Sequence, residues 1–153
     1  MLAWTEADVS SYRTPEQHSR RMARVPSEDT SIEIAVRRAL HARGLRFRKN
    51  VRSLPGTPDL VFPRARVAVF VDGDFWHGWR LPAWRDSLSP YWVEKIERNR
   101  RRDRRNFARL RRQGWVVIRV WEHDILNDLQ RVTDRVEEAV RGTLSDTSAS
   151  GCR

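Results

Sequence analysis

Carboxylates at Asp59, Asp72 and Asp74 and a histidine at His77, placed directly behind Phe75-Trp76, crowd into one short stretch of the chain. Carboxylates at this spacing suit a divalent cation. Mg²⁺ in particular is held by one or two carboxylates, with waters and phosphate oxygens completing an octahedron. A histidine just past two acids is placed to exchange protons with an activated water or a leaving oxygen. The chemistry this pattern predicts is metal-dependent hydrolysis of a phosphodiester. The plain alternative is that Asp59 and Asp72 are ordinary turn and strand-end residues.

The elements that must position these groups are legible around them. Residues 59–62 and 67–71 are short apolar, β-branched runs, and Pro63-Arg-Ala-Arg66 between them has turn character. Paired as an antiparallel hairpin with a four-residue loop, they set residue 62 opposite 67 and residue 59 opposite 70. Asp72 then lies on the face of Asp59 and diagonal to it, at roughly 7 to 8 Å between backbones, so the two carboxylates can share one ion. Upstream, Thr30-Ser31-Ile32-Glu33 has capping-box spacing and opens a helix to about Arg43, stopped by Gly44. Leu45, Phe47, Lys49 and Val51 alternate as a first strand, and the turn Leu54-Pro-Gly-Thr-Pro58 leads into the hairpin. A loop rich in Trp and Pro covers 78–90. A long helix follows over 91–112, with Trp92, Ile96, Asp103, Phe107 and Leu110 near one face. The run 115–121 reads as a buried strand and 130–141 as a last helix. Helix, three strands, helix, strand, helix is an α/β order.

Two further carboxylates fall near these elements. Asp103 is turned by helical spacing toward the protein body, where a carboxylate needs a partner. That partner is either a neighbouring arginine or a histidine of the site such as His77. Glu33 either satisfies a backbone amide in the capping box or joins the site from the helix face that packs on the sheet. His18 and His41 read as surface residues, and His123 as a cap on the last strand.

The chain carries 30 Lys+Arg against 20 Asp+Glu, a formal net charge of +10, and a pI near 11.2. A polyanion is the natural partner. Lys49 and Lys95 are the only lysines, and nine arginines fall within 98–112, including Arg98, Arg101 and Arg105. Arginine grips phosphate in a bidentate fork. A solvated helix face in an arginine-biased sequence is the bland reading of that run. At 153 residues one ordinary domain with a real core is expected. The organisation expected is an N-terminal DNA-contacting arm over 1–29, an endonuclease domain over 30–142 and a disordered tail over 143–153. The single cysteine, Cys152, excludes a disulfide framework and fits a reducing cytosol. With no apolar run of membrane-span length and no signal-peptide pattern, a cytoplasmic, nucleoid-associated protein is expected, without a membrane partner.

Four motifs also carry a resemblance: Leu54-Pro-Gly-Thr-Pro-Asp-Leu-Val61, Val69-Phe-Val-Asp-Gly-Asp-Phe-Trp-His77, Tyr91-Trp-Val-Glu-Lys-Ile96 and Gly114-Trp-Val-Val-Ile-Arg-Val-Trp-Glu122. In order and spacing they resemble the very short patch repair endonucleases, from about Arg20 to Arg141. The resemblance implies a restriction-endonuclease-like, PD-(D/E)XK-class fold, a three-layer core whose central mixed β-sheet is flanked by helices. It also implies Mg²⁺-dependent nicking of double-stranded DNA beside the thymine of a T:G mismatch left by deamination of 5-methylcytosine, by a monomer. A companion cytosine methyltransferase and mismatch-repair proteins are the partners such an activity suggests.

By position, Asp59 matches the family's metal-binding aspartate, the Val71 backbone carbonyl its second protein ligand, and His77 a catalytic histidine. Glu33 and Asp103 match supporting positions. Phe75, Trp76 and Trp92 match aromatics that wedge into the duplex, and Met22 and Val25 match apolar residues of an N-terminal helix entering from the other groove. A weakly stacked wobble pair keeps the cost of such insertion to a few kcal/mol per unstacked step. Plain core packing is the alternative for Phe75 and Trp92.

Two departures stand out. Asp72 replaces a histidine of the best-known members and is expected to act as a second metal ligand. The family's structural zinc is held by cysteines and a histidine, and the matching positions here are Asp74, Trp79, Leu81 and His123. Two possible ligands do not make a tetrahedral site, so no structural zinc is expected, with packing of Trp76, Trp79 and Trp84 in its place. The alternatives to a mismatch nickase are a restriction-type endonuclease that cuts matched DNA and a module that binds distorted DNA without cutting it.

Overall fold

The computed structural model describes residues 29–74, 76–79 and 81–150, the side chains of Trp84 and of residues 147–150 excepted. Met22, Val25 and Phe75 lie outside the described residues, as does the arm over 1–28. The chain divides after Thr30 into two compact units, and the elements that follow belong to the second.

Helix α1 (Ser31–Ala42) buries Glu33, Val36 and Leu40. Gly44, at φ +80°, ends it as expected: the Gly44 and Leu45 amides donate back to the carbonyls of His41 and Leu40, a closure that needs a left-handed residue. Strand β1 is only Arg48–Lys49, shorter than the alternation over 45–51 suggests. Asn50 at φ 48° breaks the regular pairing, although the Asn50 and Val51 amides still donate to the Asp59 and Pro58 carbonyls, Leu45 is buried and Phe47 meets Phe62 edge-on at 5.9 Å. Strands β2 (Leu60–Phe62) and β3 (Val67–Asp72) form the expected hairpin in the expected register, with Phe62 opposite Val67.

The sheet order is β1-β2-β3-β4, antiparallel except for β3 and β4, which run parallel from Val67↔Val116 to Asp72↔Trp121. Every residue of β3 is buried, the mark of a strand covered on both faces. On one face Val67, Val69 and Val71 pack with Val36 and Leu40 of α1 and with Val132, Val136 and Val140 of the last helix. On the other, Ala68 and Phe70 pack with Phe107 and Leu110. Each such fully buried aliphatic or aromatic side chain contributes about 1.5 to 3 kcal/mol. The result is the mixed, helix-flanked sheet that the resemblance implied.

Between β3 and β4, a stretch expected to be loop holds the short helix α2 (Leu81–Trp84) and a 3₁₀ turn (Arg85–Ser87), followed by the long helix α3 (Pro90–Arg112). Its buried stripe is Ile96, Asp103, Phe107 and Leu110. After β4 (Val116–Trp121), a helix that the sequence pattern does not announce, α4 (Glu122–Asn127), leads into α5 (Leu129–Ser150). The last helix therefore runs past Arg141, where the apolar stripe stops, to Ser150. The Thr143 and Ser145 hydroxyls, bonded to carbonyls four residues back, accompany the extension. Among the described residues no helix is long and apolar enough to cross a membrane.

Candidate active site

Four side chains converge at the carboxyl end of β3 on the α3 face of the sheet. Asp72 is the last residue of β3 and is buried. Arg119 of the neighbouring β4 sits opposite Phe70 in the ladder, so side-chain alternation directs both toward α3. Helix α3 turns Asp103 inward on its buried stripe. His77 arrives from the loop after β3, where its backbone amide donates to the Gly73 carbonyl at 3.3 Å. Gly78 follows at φ +68°, and a Cβ there would stand 2.6 Å from Ile96 Cγ2 and 2.8 Å from Arg100 Cδ, so glycine lets this loop close on α3.

The contacts form a closed ring. His77 Nδ1 lies 2.6 Å from Asp103 Oδ2, and His77 Nε2 lies 3.2 Å from Asp72 Oδ1. Arg119 Nε donates to Asp72 Oδ2 at 2.6 Å, and Arg119 Nη2 donates to Asp103 Oδ2 at 3.1 Å. The guanidinium is held from behind by Trp121, 4.1 Å from its ring centre, and by Phe107 at 5.3 Å. Burial raises the Asp72 carboxyl above the usual range, against the opposing charges of His77 and Arg119. Burial pushes Asp103 the same way, but the His77 hydrogen bond and the His77 and Arg119 charges outweigh it and hold Asp103 low. Asp103 therefore takes both partners that its spacing allowed, the arginine and the histidine.

Asp59 and Glu33 form a neighbouring set. Asp59 Oδ2 accepts the Val71 amide at 2.7 Å, which pins the carboxylate beside the end of β3. Burial pushes its pKa up to about 7, opposed by the Val71 amide and increased by the charges of Glu33 and Asp72. Glu33 is buried and paired with Arg37 one turn along α1, at 3.1 Å. Among the described residues, the ligand atoms that lie close enough together to hold a metal ion are those of Asp72, His77 and Asp103, all within 4.8 Å of one another, and Asp59 is a separate buried carboxylate with two acids nearby. Asp72, by contrast, has both oxygens engaged by Arg119 and His77.

The aromatic positions come together at the start of α3. Trp76 and Trp92 pack at 5.5 Å between ring centres, above Leu81, Leu88 and Ile96. Lys95 Nζ stands 4.9 Å from the Trp76 ring and 5.2 Å from that of Trp92, beside the exposed Tyr91. Farther along the helix, Arg98, Arg101 and Arg105 are at the surface; Arg98 pairs with Glu94 and Arg101 approaches Glu97 at 3.9 Å.

A family model described as DNA mismatch endonuclease Vsr matches residues 10–82. A type II nicking enzyme of Neisseria meningitidis serogroup C, V.NmeDIP, is 43% identical over 131 residues, covering 84% of this chain and 88% of the relative. The DNA mismatch endonuclease Vsr of Escherichia coli K12 is 38% identical over 146 residues, covering 89% of each chain. The chain belongs to the DNA mismatch endonuclease Vsr family. A type II nicking enzyme of Xanthomonas oryzae pv. oryzae, V.XorIIP, is 45% identical over 125 residues, covering 80% of this chain and 91% of that one.

Asp74 and Trp79, two of the positions that the resemblance matches to a structural zinc, both contact His123. His123, the second residue of α4, sets Nδ1 2.7 Å from Asp74 Oδ1, and Trp79 stacks on its ring at 3.7 Å. Leu81 is buried against Ile96. One histidine and one carboxylate, bonded to each other, do not fit tetrahedral zinc. Sequence reasoning missed two residues of this Vsr-family site. Arg119 was signalled only as a charge interrupting the apolar run 116–121, on the face that alternation assigns to α3. Lys95 was signalled by its place one turn after Trp92.

Proposed function

We propose that the protein is a magnesium-dependent endonuclease that nicks one strand of duplex DNA beside the thymine of a T:G mismatch, opening very short patch repair. Membership of the Vsr family supports the reaction class. The observation that carries the reading is Asp59, a buried carboxylate pinned by the Val71 amide and flanked by Glu33 and Asp72, with Asp72 in turn 3.2 Å from a histidine held by Asp103.

The residues fit a divalent ion at Asp59 with the Val71 carbonyl as a second protein ligand, because burial beside like charges disfavours the bare carboxylate. When bound, such an ion supplies positive charge for a phosphate oxygen and for activating a water. His77 takes up or returns the proton of the attack at a ring nitrogen, and Asp103 fixes the orientation of that ring. Trp76 and Trp92 present flat apolar surface to the weakly stacked mismatch, with Lys95 supplying charge close by. The surface arginines of α3 meet the backbone phosphates.

The experiment is nick mapping on end-labelled duplexes with Mg²⁺, matched or carrying one T:G pair in varied cytosine-methylation contexts. Nicking on the thymine strand beside the mismatch is the expected result. Cleavage of both strands of matched DNA would replace the reading with a restriction-type enzyme, and retention without cleavage would replace it with a binding module.

A further inference from the structure

We propose that Arg119 is a positioning residue of this site, a built-in cation that clamps Asp72 and Asp103 around His77, so that Asp72 serves the histidine and is not a metal ligand. The inference rests on the nuclease reading for its purpose and on the ring of contacts for its geometry.

Both carboxylate oxygens of Asp72 already have a partner within the ring. One carboxylate oxygen accepts from Arg119 Nε at 2.6 Å, the other faces His77 Nε2 at 3.2 Å, and the residue is buried. Arg119 sets its positive charge between the two carboxylates of the ring. An arginine keeps its charge at any working pH, unlike a bound ion that exchanges. It is also rigidly placed: Trp121 and Phe107 hold the guanidinium plane, and the Arg119 backbone carbonyl accepts from Arg135 Nη1 at 3.1 Å. A divalent ion at Asp72 would have to displace this guanidinium or stand beside it, at like charge in a buried setting. Asp59 is the opposite case, with a backbone amide on one oxygen and the acids Glu33 and Asp72 nearby. The positive charge is thus divided, built in at Asp72 and bound at Asp59.

The geometry also gives Arg119 leverage on the histidine. Asp103 Oδ2 is shared between Arg119 Nη2 and His77 Nδ1, and Asp72 bridges Arg119 Nε to His77 Nε2. Both ring nitrogens are therefore held by carboxylates that one guanidinium holds in turn. Loss of that guanidinium frees both acids to move and strips a buried pair of its countercharge.

The test uses the full chain in the variants R119K, R119M, D72N and D59N, with two readouts. In metal-free protein, ¹⁵N–¹H spectra of the four histidines, with His77 assigned by its loss in H77N, should show the proton shared between His77 Nδ1 and Asp103 protected from exchange. R119M should lose that protection and R119K should restore most of it. Manganese binding, followed by electron paramagnetic resonance, should weaken by less than about tenfold in D72N, which removes only a charge near Asp59. In D59N it should weaken by more than about a hundredfold. Unchanged His77 signals in R119M, or a D72N loss equal to that of D59N, would overturn the proposal. Should R119M fail to fold, R119K and D72N still decide the outcome. A wild-type protein that binds no manganese would sink the metal reading alone, since the imidazole spectrum is taken without metal.

Discussion

His77 Nδ1 lies 2.6 Å from the carboxylate of Asp103, which α3 delivers from its one buried acidic position. The pairing orients the ring so that Nδ1 meets Asp103 and Nε2 points toward Asp72. D103N keeps the shape and removes the charge. Single-turnover nicking should fall by about 10² to 10⁴, the range for removal of a proton-transfer group, with duplex affinity nearly unchanged. Equal losses in rate and affinity would instead make Asp103 a structural residue.

Asp59 predicts an inverted pH dependence of stability in the metal-free protein. Its folded pKa of about 7 stands above the usual carboxylate value of 3.8, so between those values the folded chain binds more protons than the unfolded one. Its contribution is therefore favourable at low pH and is lost as pH rises toward 7. D59N, which is neutral throughout, should gain in Tm relative to wild type from pH 5 to pH 8, by an amount worth a few kcal/mol at most. Added Mg²⁺ should narrow the gap. A gap that stays flat with pH would contradict the burial of Asp59.

Gly78 is a backbone requirement of the site. A methyl group there meets Ile96 Cγ2 at 2.6 Å in a backbone conformation that suits glycine. G78A should lower the denaturation free energy by about 1 to 3 kcal/mol and depress nicking by shifting His77. Denaturant midpoints with unchanged slopes would establish the stability part.

Much of this arrangement is legible in the amino-acid order, and the residues that are not share a cause. The hairpin register follows from a four-residue turn between two β-branched runs, and the inward turn of Asp103 follows from helical spacing. Both are local rules. Arg119 is invisible to such rules because its role depends on a parallel partner strand, with Phe70 opposite, that only the assembled sheet supplies. The shortness of β1 depends on left-handed Asn50, and α4 follows β4 too closely to show a period of its own. The expected sharing of one ion by Asp59 and Asp72 rests on their spacing, which does not announce the bond that Arg119 makes to Asp72.

The α3 surface should behave as two separable binding regions. Replacing Arg98, Arg101 and Arg105 by alanine should weaken matched and mismatched duplexes alike and reduce the slope of log K against log salt by about 1 for each phosphate no longer neutralised. W92A should weaken mismatched DNA selectively, by about 1 to 3 kcal/mol for the base stacking it removes. Fluorescence anisotropy on both duplexes across a salt series separates the two, and an equal W92A effect on both would assign Trp92 to packing alone.

The most direct test of the central claim compares single-turnover nicking of a T:G duplex in Mg²⁺ by wild-type protein and D59A, with duplex affinity measured on the same preparations. The account predicts that D59A loses nicking while holding the duplex with little change in Kd. Nicking by D59A at a rate near that of the wild type would contradict the assignment of Asp59 as the carboxylate on which the reaction depends.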